Sequence, residues 1–246
     1  MSNRQEKKIE ISVAGKSMDA FVAQPAAPPP GRVKAVVVVQ EAYGVNSHIE
    51  EVCRRLAREG YLAIAPEFFH RSGRGLKFGY DDFSKAAPVF QKLNNAEIAE
   101  DVGATLATLE KDYGIPAKDA AVMGFCLGGF VAMLSACRFP IATAISYYGG
   151  GMVEARPGKG LSPIIDEFKS IRSPVLLFFG KEDQHIPQTQ VQAIEDELKS
   201  QRKTFEVIVY PGAGHAFSND ERSSYHQESS KAAWKESMAW LKRIGS

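Results

Sequence analysis

Residues 33–40, VKAVVVVQ, restrict the fold more than any other stretch of the chain. A continuous β-branched run has no polar face, so it belongs where both faces are covered, as the inner strand of a parallel sheet packed between helices. The neighbouring patterns agree. Residues 9–13 and 18–23 are expected as opening strands joined by a turn at Gly15, and the proline-rich residues 25–31 as a surface connector. Asn46 can cap a helix that carries Ile49, Val52, Cys53, Leu56 and Ala57 at helical spacing and stops at Gly60. Strands are then expected over 61–65, 120–125, 141–148, 175–179 and 205–210, and helices over 81–93, 96–113, 126–137, 191–198 and 230–244. The helix over 96–113 shows Ile98, Val102, Leu106 and Leu109 on one stripe, and the last helix packs Ala233, Trp234, Met238 and Leu241. Strands alternating with helices predict an α/β fold with a mostly parallel, doubly wound sheet and helices on both faces. No repeat or second boundary interrupts residues 1–246, so one domain is expected.

Composition removes several function classes. Thirty basic residues against 29 acidic ones leave a net charge of +1, too little field to hold nucleic acid or an anionic membrane. Three cysteines, Cys53, Cys126 and Cys137, form neither a disulfide framework nor a zinc knuckle. Together with polar residues 1–11 and the lack of any apolar run near the ~20 residues that span a bilayer, this points to the cytoplasm. A monomer or small homo-oligomer is expected, with neither metal nor organic cofactor.

Residues 122–130, VMGFCLGGF, carry the chemistry. Gly124-Phe125-Cys126-Leu127-Gly128 has the spacing of the G-x-S-x-G nucleophile elbow with cysteine in place of serine. The turn is tight enough to require small residues two positions either side of the nucleophile. It places Cys126 at a helix N-terminus, where partial positive charge favours thiolate, and points the Leu127 N–H at a forming oxyanion. The competing reading is a buried cysteine in an ordinary glycine-rich turn; Cys53 and Cys137, at apolar helical positions, are read as core.

Two later strands end in groups that complete the order nucleophile, acid, histidine. VLLFFGKEDQHIP ends a buried strand with Asp183 in the following loop, and VIVYPGAGHAF ends one with His215. Carboxyl ends of strands are where open α/β sheets bind ligands, so Cys126, Asp183 and His215 can converge. His185 rivals His215 as base, and Glu182 and Glu41 rival Asp183, which can instead cap the helix beyond Pro187. His48 and His226 are expected in exposed helical settings; His70 lies in a loop and can line a pocket.

With these motifs in place, the chain resembles the dienelactone hydrolase family, cysteine members of the α/β-hydrolase fold. The likeness rests jointly on QEAYGVN (40–46), GYLAIAPEFFHR (60–71), GFCLGG (124–129), SYYGG (146–150), GKEDQHIP (180–187) and AGHAF (213–217). It implies that Cys126, Asp183 and His215 are the catalytic three and that Glu41 helps set the charge of the thiol. It also implies that the N–H groups of Ala42 and Leu127 form the oxyanion hole. A carboxylate directly after a buried strand independently marks Glu41, because it must be paired or used; an arginine partner would make it structural.

One departure affects the substrate. The family's dienelactone enzymes carry a carboxylate-binding serine next to the histidine and an arginine four residues on, whereas this chain has Ala216 and Asn219. Arg71, Arg74 and Lys77 in residues 69–80, a lid-like loop, are either a replacement or a solvated basic segment. Tyr43, Phe68, Tyr147 and Phe217 are candidates for an apolar pocket or for core. Ser146, Ser218 and the glycines 149–151 have no partner pattern. The expected activity is hydrolysis of a carboxylic ester or lactone through an acyl-thioenzyme; the alternatives are a non-catalytic binding protein and a thiol-redox protein on the same scaffold.

Overall fold

A computed structural model describes residues 6–29, 31–154 and 160–244; the first five residues and Pro30 of the expected connector lie outside the described residues. Eight strands form one sheet: β1 (Glu6–Val13), β2 (Lys16–Ala23), β3 (Ala35–Val39), β4 (Leu62–Pro66), β5 (Ala120–Phe125), β6 (Thr143–Tyr147), β7 (Val175–Gly180) and β8 (Phe205–Tyr210). Their order is β1-β2-β4-β3-β5-β6-β7-β8. β1 and β2 pair antiparallel at one edge and β2 meets β4 antiparallel, while all pairs from β4 to β8 are parallel. The sheet is an α/β-hydrolase fold, mostly parallel as the buried runs require. Every residue of β3 and β5 is buried.

Six α-helices cover the faces: α1 (Ser47–Arg58), α2 (Phe83–Phe90), α3 (Asn95–Tyr113), α4 (Leu127–Arg138), α5 (Gln188–Ser200) and α6 (Gln227–Ile244). The Asn46 side chain caps α1 by accepting from the Ile49 N–H, as expected. α2 is shorter than the 13 residues that apolar spacing suggests, because Asp82 caps it at Ser84 and the helix gives out after Phe90. α4 is buried on all sides from Leu127 to Cys137, which makes it the central helix of the molecule. Among the described residues, no helix is long and apolar enough to cross a membrane.

Strand order reverses around β3, whose neighbours are β4 and β5. At such a switch point the connections leave in opposite directions and open a crevice beyond the carboxyl ends of the strands. Register sets which residues meet there: Val39 pairs with Gly124, Phe125 with Tyr147, and Gly180 with Tyr210. Glu41, Cys126, Asp183 and His215 each follow one of these ends within a few residues.

Residues 69–80 are fastened to the body. Arg71 donates to both Asp101 oxygens at 2.6 and 2.7 Å, Arg74 pairs with Asp19 and Glu10, and Lys77 reaches Glu50 at 2.8 Å. The Phe78 N–H also bonds the Tyr43 carbonyl at 2.9 Å. The three cations are therefore paired and not turned into the crevice, Arg71 half-buried and Arg74 and Lys77 exposed as a solvated segment requires. Asp101, 1% exposed, accepts from Arg71 and lies 3.0 Å from His70 Nε2. His70 is thus a core residue and is not in the wall of the cavity described below.

Removing one partner of a buried charge cluster costs about 3–5 kcal/mol, and for a domain of this size each kcal/mol lowers Tm by about 2–4 °C. Asp101→Ala, which strands His70 and leaves Arg71 only its outer partners Glu97 and Glu100, is expected to lower Tm by about 6 °C or more by scanning calorimetry, and Asp101→Asn by less.

Candidate functional site

The elbow is built from close backbone contact. A Cβ on Gly124 would run into the Gly128 carbonyl, one on Gly128 into the Val39 carbonyl, and one on Gly129 would lie 2.7 Å from the Gly149 Cα. Glycine at these positions lets α4 start against the ends of β3 and β5. Cys126 joins β5 to α4 at φ 53° and ψ −109°, a conformation that side chains rarely adopt. It is held by its N–H on the Tyr147 carbonyl at 3.0 Å and by its own carbonyl, which accepts from Gly129 at 3.0 Å and Phe130 at 3.3 Å. The side chain is half-buried at the head of α4. Cys53 and Cys137, by contrast, are buried in the core, where burial raises both thiols, that of Cys137 to about 12.

Cys126 Sγ lies 3.1 Å from His215 Nε2, and His215 Nδ1 lies 2.8 Å from Asp183 Oδ2. The second Asp183 oxygen accepts the N–H groups of His185 at 2.8 Å and Ile186 at 3.2 Å, so the loop orients the carboxylate and one oxygen remains for the imidazole. Asp183 faces His215 and holds its own loop, and it does not cap α5, whose N-cap is Pro187 with no side-chain cap. The two loops are stitched together by the Glu182 N–H on the Ala213 carbonyl at 2.9 Å. Beneath His215, the buried Tyr148 ring stands edge-on with centroids 5.4 Å apart.

Burial of the His215 ring would lower its pKa, but the negative charge on the Cys126 sulfur and the bond to Asp183 overcome this and raise it to about 10. The pairing with both neighbours thus favours the protonated ring. His185 lies at the mouth, its ring edge-on to His215 with centroids 5.0 Å apart, and Glu182 is exposed. His48, expected to be exposed, is 5% exposed: its ring packs edge-on against Phe125 and its Nδ1 lies 3.6 Å from Asp220. His226 is half-buried just before α6 and bonds Ser229.

Glu41 is wholly buried. Its Oε2 accepts from Asn219 Nδ2 at 2.7 Å, while Oε1 has no hydrogen-bond partner. The partner is an amide, where an arginine would have made the carboxylate a plain ion pair. Asn219 is thereby turned inward and Ala216 is wholly buried, so neither faces a ligand.

A cavity of about 320 Å³ opens over the sulfur, with Ala42, Tyr43, Cys126, Leu127 and His215 in its wall. Of the residues singled out as pocket candidates, Tyr43 lines it; Tyr147 and Phe217 do not. Both are wholly buried, Tyr147 bonding Ser237 at 2.7 Å and Phe217 packing on Tyr148 and Tyr210. Phe68 lies away from the cavity, in the groove beside Arg71. Sequence patterns missed Phe83 and Phe90 from α2, Phe130 from α4, Leu161 and Arg222, which complete the wall together with His185, Gly150 and Gly151. Only the exposed position of Phe83 on a short amphipathic helix gave any local signal.

Strand order, elbow and converging side chains together define a hydrolase of the α/β type. The chain belongs to the dienelactone hydrolase family, whose model matches residues 18–245. A Synechocystis protein named "Putative carboxymethylenebutenolidase" is 35% identical over 216 residues, covering 87% of each chain. One of the same name from Escherichia coli is 34% identical over 236 residues, 96% of this chain and 86% of that one. A crystal structure from Klebsiella pneumoniae, titled a "Putative Dienelactone Hydrolase", superposes with TM-score 0.86 at 35% identity over 97% of this chain and 98% of that one.

The raised pKa of His215 fixes the sign of a pH effect. The stability contributed by the charged ring is complete below its unfolded value of 6.5 and is lost as pH rises through about 10. The difference in urea midpoint between the wild type and His215→Gln is expected to shrink between pH 7 and about pH 10.5; a constant difference would contradict the charged pair.

Proposed function

We propose that this protein hydrolyses carboxylic esters or lactones with Cys126 as nucleophile, His215 as proton carrier and Asp183 as its orienting acid. The observation that carries the reading is the unbroken contact from Cys126 Sγ through His215 to Asp183, opening on a cavity at the carboxyl end of the sheet. Family membership supports the reaction class.

In the proposed cycle the thiolate attacks the carbonyl carbon, and the carbonyl π electrons move to oxygen. The N–H groups of Ala42 and Leu127, at the cavity wall beside the sulfur, stabilise that oxyanion. As the tetrahedral intermediate collapses, the C–O bond breaks and His215 Nε2 gives its proton to the departing alkoxide. An acyl-thioenzyme remains. The now neutral imidazole takes a proton from water, whose oxygen attacks the thioester, and the thiolate leaves with the imidazolium restored. Asp183 holds Nδ1–H throughout, so Nε2 always faces the sulfur.

Glu41 is the reserve in this scheme. Its carboxylate is wholly buried with one oxygen unbonded, and its negative field opposes a second charge nearby. Its role is to moderate the charge on Cys126, which also fits its influence on the buried Tyr148 hydroxyl beside His215.

Release of p-nitrophenol from short-chain p-nitrophenyl esters, with a lactone panel alongside, tests the reading. Cys126→Ala is expected to abolish turnover, and Asp183→Asn to lower kcat by about 10⁴-fold through the wrong imidazole tautomer. Mass spectrometry of the quenched wild type should find one acyl group on Cys126. Turnover surviving in Cys126→Ala would overturn the mechanism.

A further inference from the structure

A second cavity of about 320 Å³ lies between α1, the start of α6 and residues 218–225. It shares no wall residue with the chamber over Cys126, so what it holds is not a substrate in contact with the sulfur. Arg55 from α1 is in its wall, half-buried, with the guanidinium carbon 3.8 Å from the Trp234 ring centroid. Among the described residues it makes neither a hydrogen bond nor an ion pair. Burial lowers its pKa from the ordinary arginine value, as expected for a cation without a counter-charge. Stacking on the indole fixes the plane of the guanidinium and leaves the N–H groups along its edge for a ligand. Lys231, the other cation in the wall, is exposed and also unpaired among the described residues.

The two acids in the wall are answered by other groups. Glu51 pairs with Arg58 and lies 3.7 Å from Arg54, and Asp220 Oδ1 faces His48 Nδ1 at 3.6 Å. His48 is itself short of a partner: it is 5% exposed, its Nε2 is bonded to nothing, and its Nδ1 is too far from Asp220 for a hydrogen bond. A buried imidazole idle at both nitrogens is costly, and a ligand oxygen on the Asp220 side would relieve it. Ser218 and Ser230 add hydroxyls, and Ser230 and Lys231 lie at the start of α6, where the helix dipole adds positive potential. The uncompensated charges of the chamber are thus both positive. Donors from α1, from α6 and from the 218–220 segment approach from different directions, as the oxygens of a tetrahedral anion require.

We infer that this cavity is a binding site for a phosphate group, free or as a small phosphate monoester, held by Arg55 and Lys231 with His48, Ser218 and Ser230 completing the shell. The site does not depend on the reaction proposed above. It adjoins the catalytic frame without opening into it: Ser218 and Asp220 flank Asn219, whose amide bonds Glu41, and the His48 ring packs edge-on against Phe125, the residue before Cys126.

Isothermal titration calorimetry with potassium phosphate near neutral pH, with potassium chloride adjusted to hold ionic strength fixed, tests the site. The wild type should show one saturable site with a Kd of about 1 mM or tighter. Glycerol 3-phosphate titrated in the same way separates the two sources of the group: tighter binding than phosphate marks a monoester, and equal or weaker binding marks the free anion. Arg55→Gln should weaken phosphate binding by about tenfold or more and Lys231→Gln by about threefold or more, while Arg222→Gln, in the wall of the catalytic chamber, should leave it unchanged. Absence of saturable heat from the wild type overturns the inference, and so does binding that is lost in Arg222→Gln or kept in full by Arg55→Gln or Lys231→Gln. The wild type, Lys231→Gln and Arg222→Gln decide the matter even if Arg55→Gln, deprived of its packing on Trp234, does not fold.

Discussion

The near contact of backbone with backbone around Gly124, Gly128 and Gly129 is the constraint on which the rest of the molecule depends. α4 can begin only where its first turn touches the ends of β3 and β6, and a single methyl group at Gly124 or Gly128 would meet a carbonyl. Because α4 is buried all round, moving it would also shift the helices and strands packed against it. Core packing and placement of the sulfur are thus one condition.

Asp183 and His215 are held by a different device. They lie on neighbouring loops after β7 and β8, joined by a backbone hydrogen bond and by the close approach of Gly180 to the Ala213 carbonyl. Asp183 spends one oxygen on its own loop, which fixes the direction of the other. The imidazole therefore has one position available, over Tyr148 and against Cys126. The cavity walls come from elsewhere: α2, α4, Leu161 and Arg222 supply them around this frame. Much of the cavity wall and the Cys126, His215 and Asp183 contacts thus come from separate parts of the chain.

That separation explains what could be read from the sequence. β5 and β8 were legible to the residue, because apolar runs end sharply at an elbow or a turn. The contacts among Cys126, Asp183 and His215 follow from strand ends that a parallel sheet brings to one side. Burial of individual polar residues was less legible: His48 looks like a surface position on α1 until Phe125 and Asp220 pack over it. Tyr147 fails as a pocket residue because β6 is an inner strand, covered on both faces. Arg222 and Leu161 reach the cavity only through tertiary folding, from segments whose local pattern says nothing about it.

The backbone angle at Cys126 has a further consequence. A left-handed conformation at a residue bearing a Cβ costs on the order of 1–3 kcal/mol, a cost glycine would largely avoid. The protein thus holds the proposed nucleophile in tension, and under the proposed mechanism relaxing that point would make a sturdier molecule with nothing to attack a carbonyl.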